Sequence, residues 1–185
     1  MSILLDLHGG PGSQNGFDNS GRRGEVHWHE GDNANRTIAI LDKITAVLES
    51  WIADGTMTHE TIWGIELLNE PGGWNQALWQ ITRDFFNLKG YDMLRSKHFQ
   101  QHQEKPWVAI NQAFRPYQDF VNYMSENDGY SKVMLDMHTY HCFGPEYNSM
   151  ALLPEGWALH LVDSCAQRNF VDANTLPSVL GSHLP

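Results

Sequence analysis

Residues 64–73 read GIELLNEPGG and close an apolar run, Ile62–Asn69, of the right length for one β-strand. Side chains alternate along a strand, so Glu66, Leu68 and Glu70 fall on one face. Pro71 disfavours the helical region for the residue before it and helps end the strand there. Glu70, with Asn69 beside it, is therefore expected at a strand's C-terminal end. Four other apolar runs have similar length: Ile3–His8, Trp107–Ala113, Val133–His138 and Pro177–Gly181. The segments between them carry helical spacing. Ile38, Leu41, Ile44, Leu48, Trp51 and Ile52 recur every three or four residues, with Asn33 or Asn35 as a cap and Gly55 as a stop. A second helical stretch spans roughly Asn75–Gln103 with an expected break near Gly90, a weaker third lies around Tyr117–Ser125, and a fourth covers roughly Trp157–Ala173.

Strand and helix in alternation imply parallel strands with helical crossovers, either as an open doubly wound sheet or as part of a barrel. The placement of polar residues favours the barrel. Four of the runs end in chemistry-bearing clusters: Asp6 and His8, Asn69 and Glu70, Asn111 and Gln112, Asp136 to Tyr140. A mouth assembled from several strand ends is the habit of the (β/α)8 barrel. The loop after the first run, HGGPGSQNG, does not have the G-x-G-x-x-G form that opens a dinucleotide-binding helix. The expected fold is α/β, with all of residues 1–185 in one domain.

Composition narrows the function. The chain has 185 residues, 41% of them hydrophobic, which is enough for a real core. Its formal charge of −10 argues against nucleic acid, whose phosphates need clustered Lys and Arg, and against an acidic membrane surface. No apolar run approaches the ~20 residues of a membrane span. The N-terminus MSILLDLHGG has no basic region before its apolar residues, so no signal peptide is read there. Cys142 and Cys165 are compatible with an internal pair, free thiols or other partners. Aromatic residues make up 11% of the chain, seven of them Trp, which suits either a sugar site or a core of large side chains.

The chemistry suggested by Asn69-Glu70 is glycosidic cleavage. A carboxylic acid protonates the leaving oxygen, and the adjacent amide bonds a sugar hydroxyl. Such enzymes need a second carboxylate, ~5–5.5 Å from the first in retaining and ~6.5–9.5 Å in inverting mechanisms. Glu66 lies four residues back along the strand, about 13 Å at ~3.3 Å per residue. It is read as a structural carboxylate inside the sheet. Asp6, Asp18, Asp136, Glu146 and Glu155 stay open as candidates. Asp6 and His8 alternate onto the face that carries Glu70, and the Gly-, Asn- and Ser-dense loop after them is read as turn chemistry presenting Phe17 and Asp18 at its tip. A ring beside a carboxylate fits a pyranose, the ring on its apolar face and the carboxylate on its hydroxyls. In VMLDMHTYHCF, residues 133–143, Asp136, His138 and Tyr140 share a face, where His138 and Tyr140 can hydrogen-bond and tune a carboxylate. Neither His138 with His141 nor the His27–Glu30 run has H-E-x-x-H or a Cys/His zinc spacing, and no G-x-S-x-G is present, so neither a metal site nor a serine hydrolase is read.

LLDLHGGPGSQNGFDNSG (residues 4–21), GIELLNEP and DMHTYHCF, in this order and spacing, resemble the exo-β-1,3-glucanases of glycoside hydrolase family five. The resemblance implies a partial TIM (β/α)8 barrel covering roughly strands three to seven, an incomplete catalytic domain, and a retaining exo-glucosidase activity on β-1,3-glucan or a related β-glucoside. It implies no cofactor, and an extracellular or cell-wall setting. By motif, Glu70 matches the acid/base and Asn69 its neighbour on the sugar, while His8, His138 and Tyr140 match other active-site residues. Phe17 and Phe143 resemble an aromatic clamp at the pocket entrance, and Asp18 and Glu146 match sugar contacts. The family's nucleophile is a Glu after the seventh strand. Here LPSVLG is followed by Ser182, which occupies the expected position. The resemblance therefore implies a truncated fragment without hydrolytic activity. The alternative reading is a non-catalytic β-glucan-binding protein.

Overall fold

A computed structural model describes residues 2–102, 105–138 and the backbone of 178–181. Five strands form one sheet: β1 (Ile3–Asp6), β2 (Ile62–Glu66), β3 (Trp107–Asn111), β4 (Val133–His138) and β5 (Ser178–Gly181). Their order is β1-β2-β3-β4-β5 and every pairing is parallel. Chain order equal to spatial order is the winding of a (β/α) barrel. A doubly wound sheet reverses at a switch point. The sheet is also curled. A Cβ added at Gly64 on β2 would lie 2.9 Å from Leu4 Cδ1 on β1 and 3.0 Å from Met134 Cε on β4, two strands away. Side chains of non-adjacent strands meet only on the concave face of a curved sheet. The opposite face carries fully buried Ile65, Val108, Ile110 and Leu135 against the helical layer.

All five expected strands are present, but only β4 fills its apolar run; β1, β2, β3 and β5 are shorter than theirs. Backbone bonds continue beyond β2, from Leu67 N to Ala109 O and from Asn69 N to Leu7 O, both at 3.0 Å. The segment is thus held between its neighbours after the regular ladder stops.

Helix α1 (Asn33–Ala53) starts one residue after its cap, Asp32, so neither Asn33 nor Asn35 is the cap residue. Its buried stripe is Ala34, Thr37, Leu41, Thr45 and Leu48, rotated from the apolar spacing so that Trp51 is solvent-exposed. Thr37 and Thr45 are accepted inside because their hydroxyls donate to the carbonyls of Asn33 and Leu41. Helices α2 (Gln76–Ile81) and α3 (Asn87–Lys97) are joined by a π-helical turn, Thr82–Phe86. The irregularity therefore lies there and not at Gly90. Gly90 is a close-approach residue, since a Cβ on it would meet the Leu67 methyls at 3.0 Å. Asn75 caps α2, its side chain accepting from Ala77 N and Leu78 N. The expected third helix is one short 3-10 turn, Tyr117–Phe120. The fourth falls outside the described residues.

Candidate active site

The loops after β1, β2 and β3 meet at one end of the sheet, and the first of them is built unlike an ordinary surface turn. Ser13, Gln14, Asn15 and Ser20 are all buried. Gln14 Nε2 donates to His8 O and Asn69 O, and its Oε1 accepts from Gly10 N. Asn15 Nδ2 donates to Glu70 O at 3.0 Å. The next loop is clamped from both sides: Gly72 N donates to Gln14 O and Gly73 N to Ala113 O. A Cβ on Gly73 would collide with Ala113 O. Gly73→Ala is expected to cost about 1–3 kcal/mol, as overpacking does, and to lower the urea midpoint of unfolding.

Glu70 is 4% exposed and has φ +45°. An L-residue adopts that left-handed backbone at a cost, and Ser13, Ala113 and Phe114 share it at the same end of the molecule. Pro71 excludes the right-handed helical region as the sequence implied, yet the chain turns at Glu70 instead of running straight on. The turn aims the carboxylate at two donors. His138 Nδ1 lies 2.7 Å from Oε1, and Asn19 Nδ2 donates to Oε2 at 2.9 Å. His138 Nε2 faces Asp136 Oδ2 at 3.3 Å. Both ring nitrogens thus meet carboxylates, which calls for a proton on each. Burial of the ring opposes that charge, but the hydrogen bonds and charges of Asp136 and Glu70 outweigh it and raise the His138 pKa to about 10.

His8 sits on the other side of Asn69. Asn69 Nδ2 donates to His8 Nε2 at 3.3 Å, and His8 Nδ1 lies 2.5 Å from Asp6 Oδ2. One neutral tautomer, protonated at Nδ1, satisfies both contacts. Below this layer, Glu66 accepts from Asn111 Nδ2 at 3.0 Å and lies within reach of the Asp136 and Asp6 charges.

His8, Asn69, Glu70 and His138 are thus brought together. Phe17 stands 45% exposed at the rim, near Asp18. It is part of a larger aromatic surface: its ring centroid lies 5.6 Å from Trp74 and 5.9 Å from Phe114, and those two are 5.0 Å apart. Tyr140, Phe143, Glu146 and Ser182, with the two cysteines, lie outside the described residues. The sequence reading missed Asn15 and Asn19, whose signal was the run of Asn and Gln in a loop taken for turn chemistry. It also missed Trp74 and Phe114, which lie in the loops after β2 and β3. Among the described residues, no group of three or more His, Cys, Asp or Glu is arranged to hold a metal ion. No helix among them is long and apolar enough to cross a membrane.

A curled parallel α/β sheet with acid, amide and imidazole groups gathered at its C-terminal rim has the form of a glycosidase-type barrel protein. The solved rutinosidase of Aspergillus niger has a similar fold, with a TM-score of 0.52 at 18% identity over 78% of this chain and 40% of that one. By sequence, the chain is homologous over most of its length to proteins named glucan 1,3-beta-glucosidase. The Blumeria graminis protein is 35% identical over 90% of this chain and 34% of its own length. Glucan 1,3-beta-glucosidase I/II of Saccharomyces cerevisiae is 36% identical over 79% and 30%, and the Pichia angusta protein 38% over 77% and 31%. The chain spans about a third of the length of these relatives. No protein-family model matches it.

Proposed function

We propose that this site is the acid/base half of a retaining β-1,3-glucan glucosidase, and that the five strands correspond to roughly strands three to seven of an eight-stranded barrel. One observation carries the reading: a buried carboxylate at a strand end, Glu70, held at both oxygens by His138 and Asn19 beneath an exposed aromatic surface. In this reading the Glu70 carboxyl protonates the departing glycosidic oxygen, and its carboxylate later takes a proton from the attacking water. The contacts from His138 Nδ1 and Asn19 Nδ2 fix the orientation of the Glu70 carboxyl group for that proton transfer. Asn69 bonds the hydroxyl next to the reacting carbon, with His8 orienting its amide. By the resemblance, Tyr140 is taken as a further active-site residue, and Asp18, Phe143 and Glu146 as sugar contacts. A β-glucan substrate places the work at a cell wall or outside the cell.

The first step of a retaining mechanism also forms a bond from a carboxylate to the anomeric carbon. Ser182 stands where the resemblance puts that carboxylate, so the 185-residue chain is expected to bind glucan without cleaving it. Binding without hydrolysis is also the second reading, and the three exposed rings favour it as a function in itself. Calorimetric titration with laminaritriose tests the common part. Binding is expected with laminaritriose and not with the α-linked maltotriose. Trp74→Ala is expected to weaken it about tenfold, about 1.4 kcal/mol, through loss of the stacking face. Equal affinity for the two trisaccharides would contradict the proposal.

A further inference from the structure

The concave face of the sheet holds more carboxyl groups than the proposed chemistry uses. Strand register sets Asp6 opposite Glu66, and Asn111 opposite Asp136. Asn111 Nδ2 donates to Glu66 Oε1, and the Asp136 carboxyl stands close enough to Glu66 to raise its pKa both by its charge and by hydrogen bonding. Two carboxylates make such a bond only if one of them carries a proton. Asp136 Oδ2 also receives His138 Nε2, and a hydrogen bond to an imidazolium favours the charged carboxylate. No cation is among the groups that act on Glu66: Asp6 on β1 and Asp136 on β4 are the charges beside it, and Asn111 on β3 donates to it. His138 spends its two N–H groups on Asp136 and Glu70.

We infer that Glu66 is a positioning residue: it is a neutral carboxylic acid that donates its proton to Asp136, so that Asp136 remains the anion fixing the His138 ring against Glu70. Burial, then the charges of Asp136 and Asp6, hold its pKa well above the ordinary value of 4.5, against the opposing bond from Asn111. The inference rests on the reading of Glu70 as acid/base only for its catalytic consequence. The protonation of Glu66 stands or falls separately.

Glutamine is the discriminating substitution. Glu66→Gln keeps a donor toward Asp136 and an acceptor for Asn111, as a protonated glutamate does, and removes a charge only if Glu66 was ionised. In ring-nitrogen NMR of the full 185-residue chain, the His138 midpoint is expected to move by less than about one unit in Glu66→Gln. Glu66→Ala, which removes the donor, is expected to change the His138 ring shifts. The carboxyl carbon of Glu66 in the parent, read in selectively labelled protein at pH 7, is expected at the protonated position. Stability supplies a second readout. Unfolded, Glu66 ionises near 4.5; folded, it keeps its proton to higher pH. The native state therefore binds more protons over that window, and the Glu66 contribution, fully present below 4.5, is lost as pH rises toward the folded value. The Tm advantage of Glu66→Gln over the parent is expected to grow from pH 4 to pH 7. An ionised Glu66 carbon at pH 7, or a His138 midpoint falling by about one unit or more in Glu66→Gln, overturns the inference. Failure of laminaritriose to bind, with Glu66 still protonated, would count against the reading of Glu70 alone.

Discussion

Purified as 185 residues, the chain is expected to release no glucose from laminarin above the level of its Glu70→Ala variant. A retaining glycosidase divides the reaction into formation and hydrolysis of a glycosyl-enzyme, and the first step needs a carboxylate opposite the acid. Ser182 follows β5 at the position the resemblance assigns to that carboxylate. A serine hydroxyl is a weak nucleophile without a base beside it, and it offers no negative charge to an oxocarbenium-like transition state. Losing such a group costs several orders of magnitude in rate, each factor of ten being about 1.4 kcal/mol of barrier. Asp136 is no ready substitute, because its Oδ2 is engaged by His138 and its neighbour is Glu66. Turnover by the parent that disappears in Glu70→Ala would mean that another carboxylate serves, and the assignment of Ser182 would be wrong.

A second large effect is expected far from the carboxylates. Trp28→Ala should destabilise the fold by about 3–5 kcal/mol, the usual cost of removing a fully buried large aromatic side chain. That is a large share of the ~5–15 kcal/mol that holds a typical domain together. Trp28 is fully buried, packs edge-on against Phe86 at 5.0 Å between centroids, and donates from Nε1 to Thr37 Oγ1 at 2.8 Å. It also backs onto Gly10, where a Cβ would lie 2.8 Å from the indole Cδ1. The indole is therefore the floor under the loop that delivers Gln14, Asn15 and Asn19. Chemical denaturation followed by fluorescence measures the loss, and weaker binding of laminaritriose should accompany it. A Trp28→Ala variant of parental stability would mean that the loop is supported in some other way.

The sequence made the sheet legible because each strand is an apolar run bounded by loop residues, a signal that survives without tertiary context. Glu70 was legible as a residue at a strand's end for a related reason: Pro71 limits the backbone there whatever surrounds it. Helix details were less so. The buried face of α1 is chosen by what it packs against, and Thr37 and Thr45 count as polar in a sequence but enter the core once their hydroxyls bond back to the helix. The π-helical turn at Thr82–Phe86 has no local breaker to announce it. Within the site, the support of Glu70 by Asn15 and Asn19 spans more than fifty residues of chain and depends on three loops meeting. No local pattern encodes such a meeting, and the same Asn-rich composition describes an exposed turn equally well. The proton shared by Glu66 and Asp136 depends on sheet curvature, which brings two strands that are not neighbours within reach.

A β-1,3-linked sugar is expected to occupy the rim between Glu70 and the Phe17–Trp74–Phe114 surface. Amide and side-chain shift mapping of the 185-residue chain during titration with laminaritriose tests it directly. Saturable changes are expected at the Asn19 and Asn69 side-chain amides, the Trp74 indole N–H and the Gly72–Gly73 amides, with Asn33–Ala53 unmoved. Changes confined to other surfaces, or no saturable change at the rim, would contradict it.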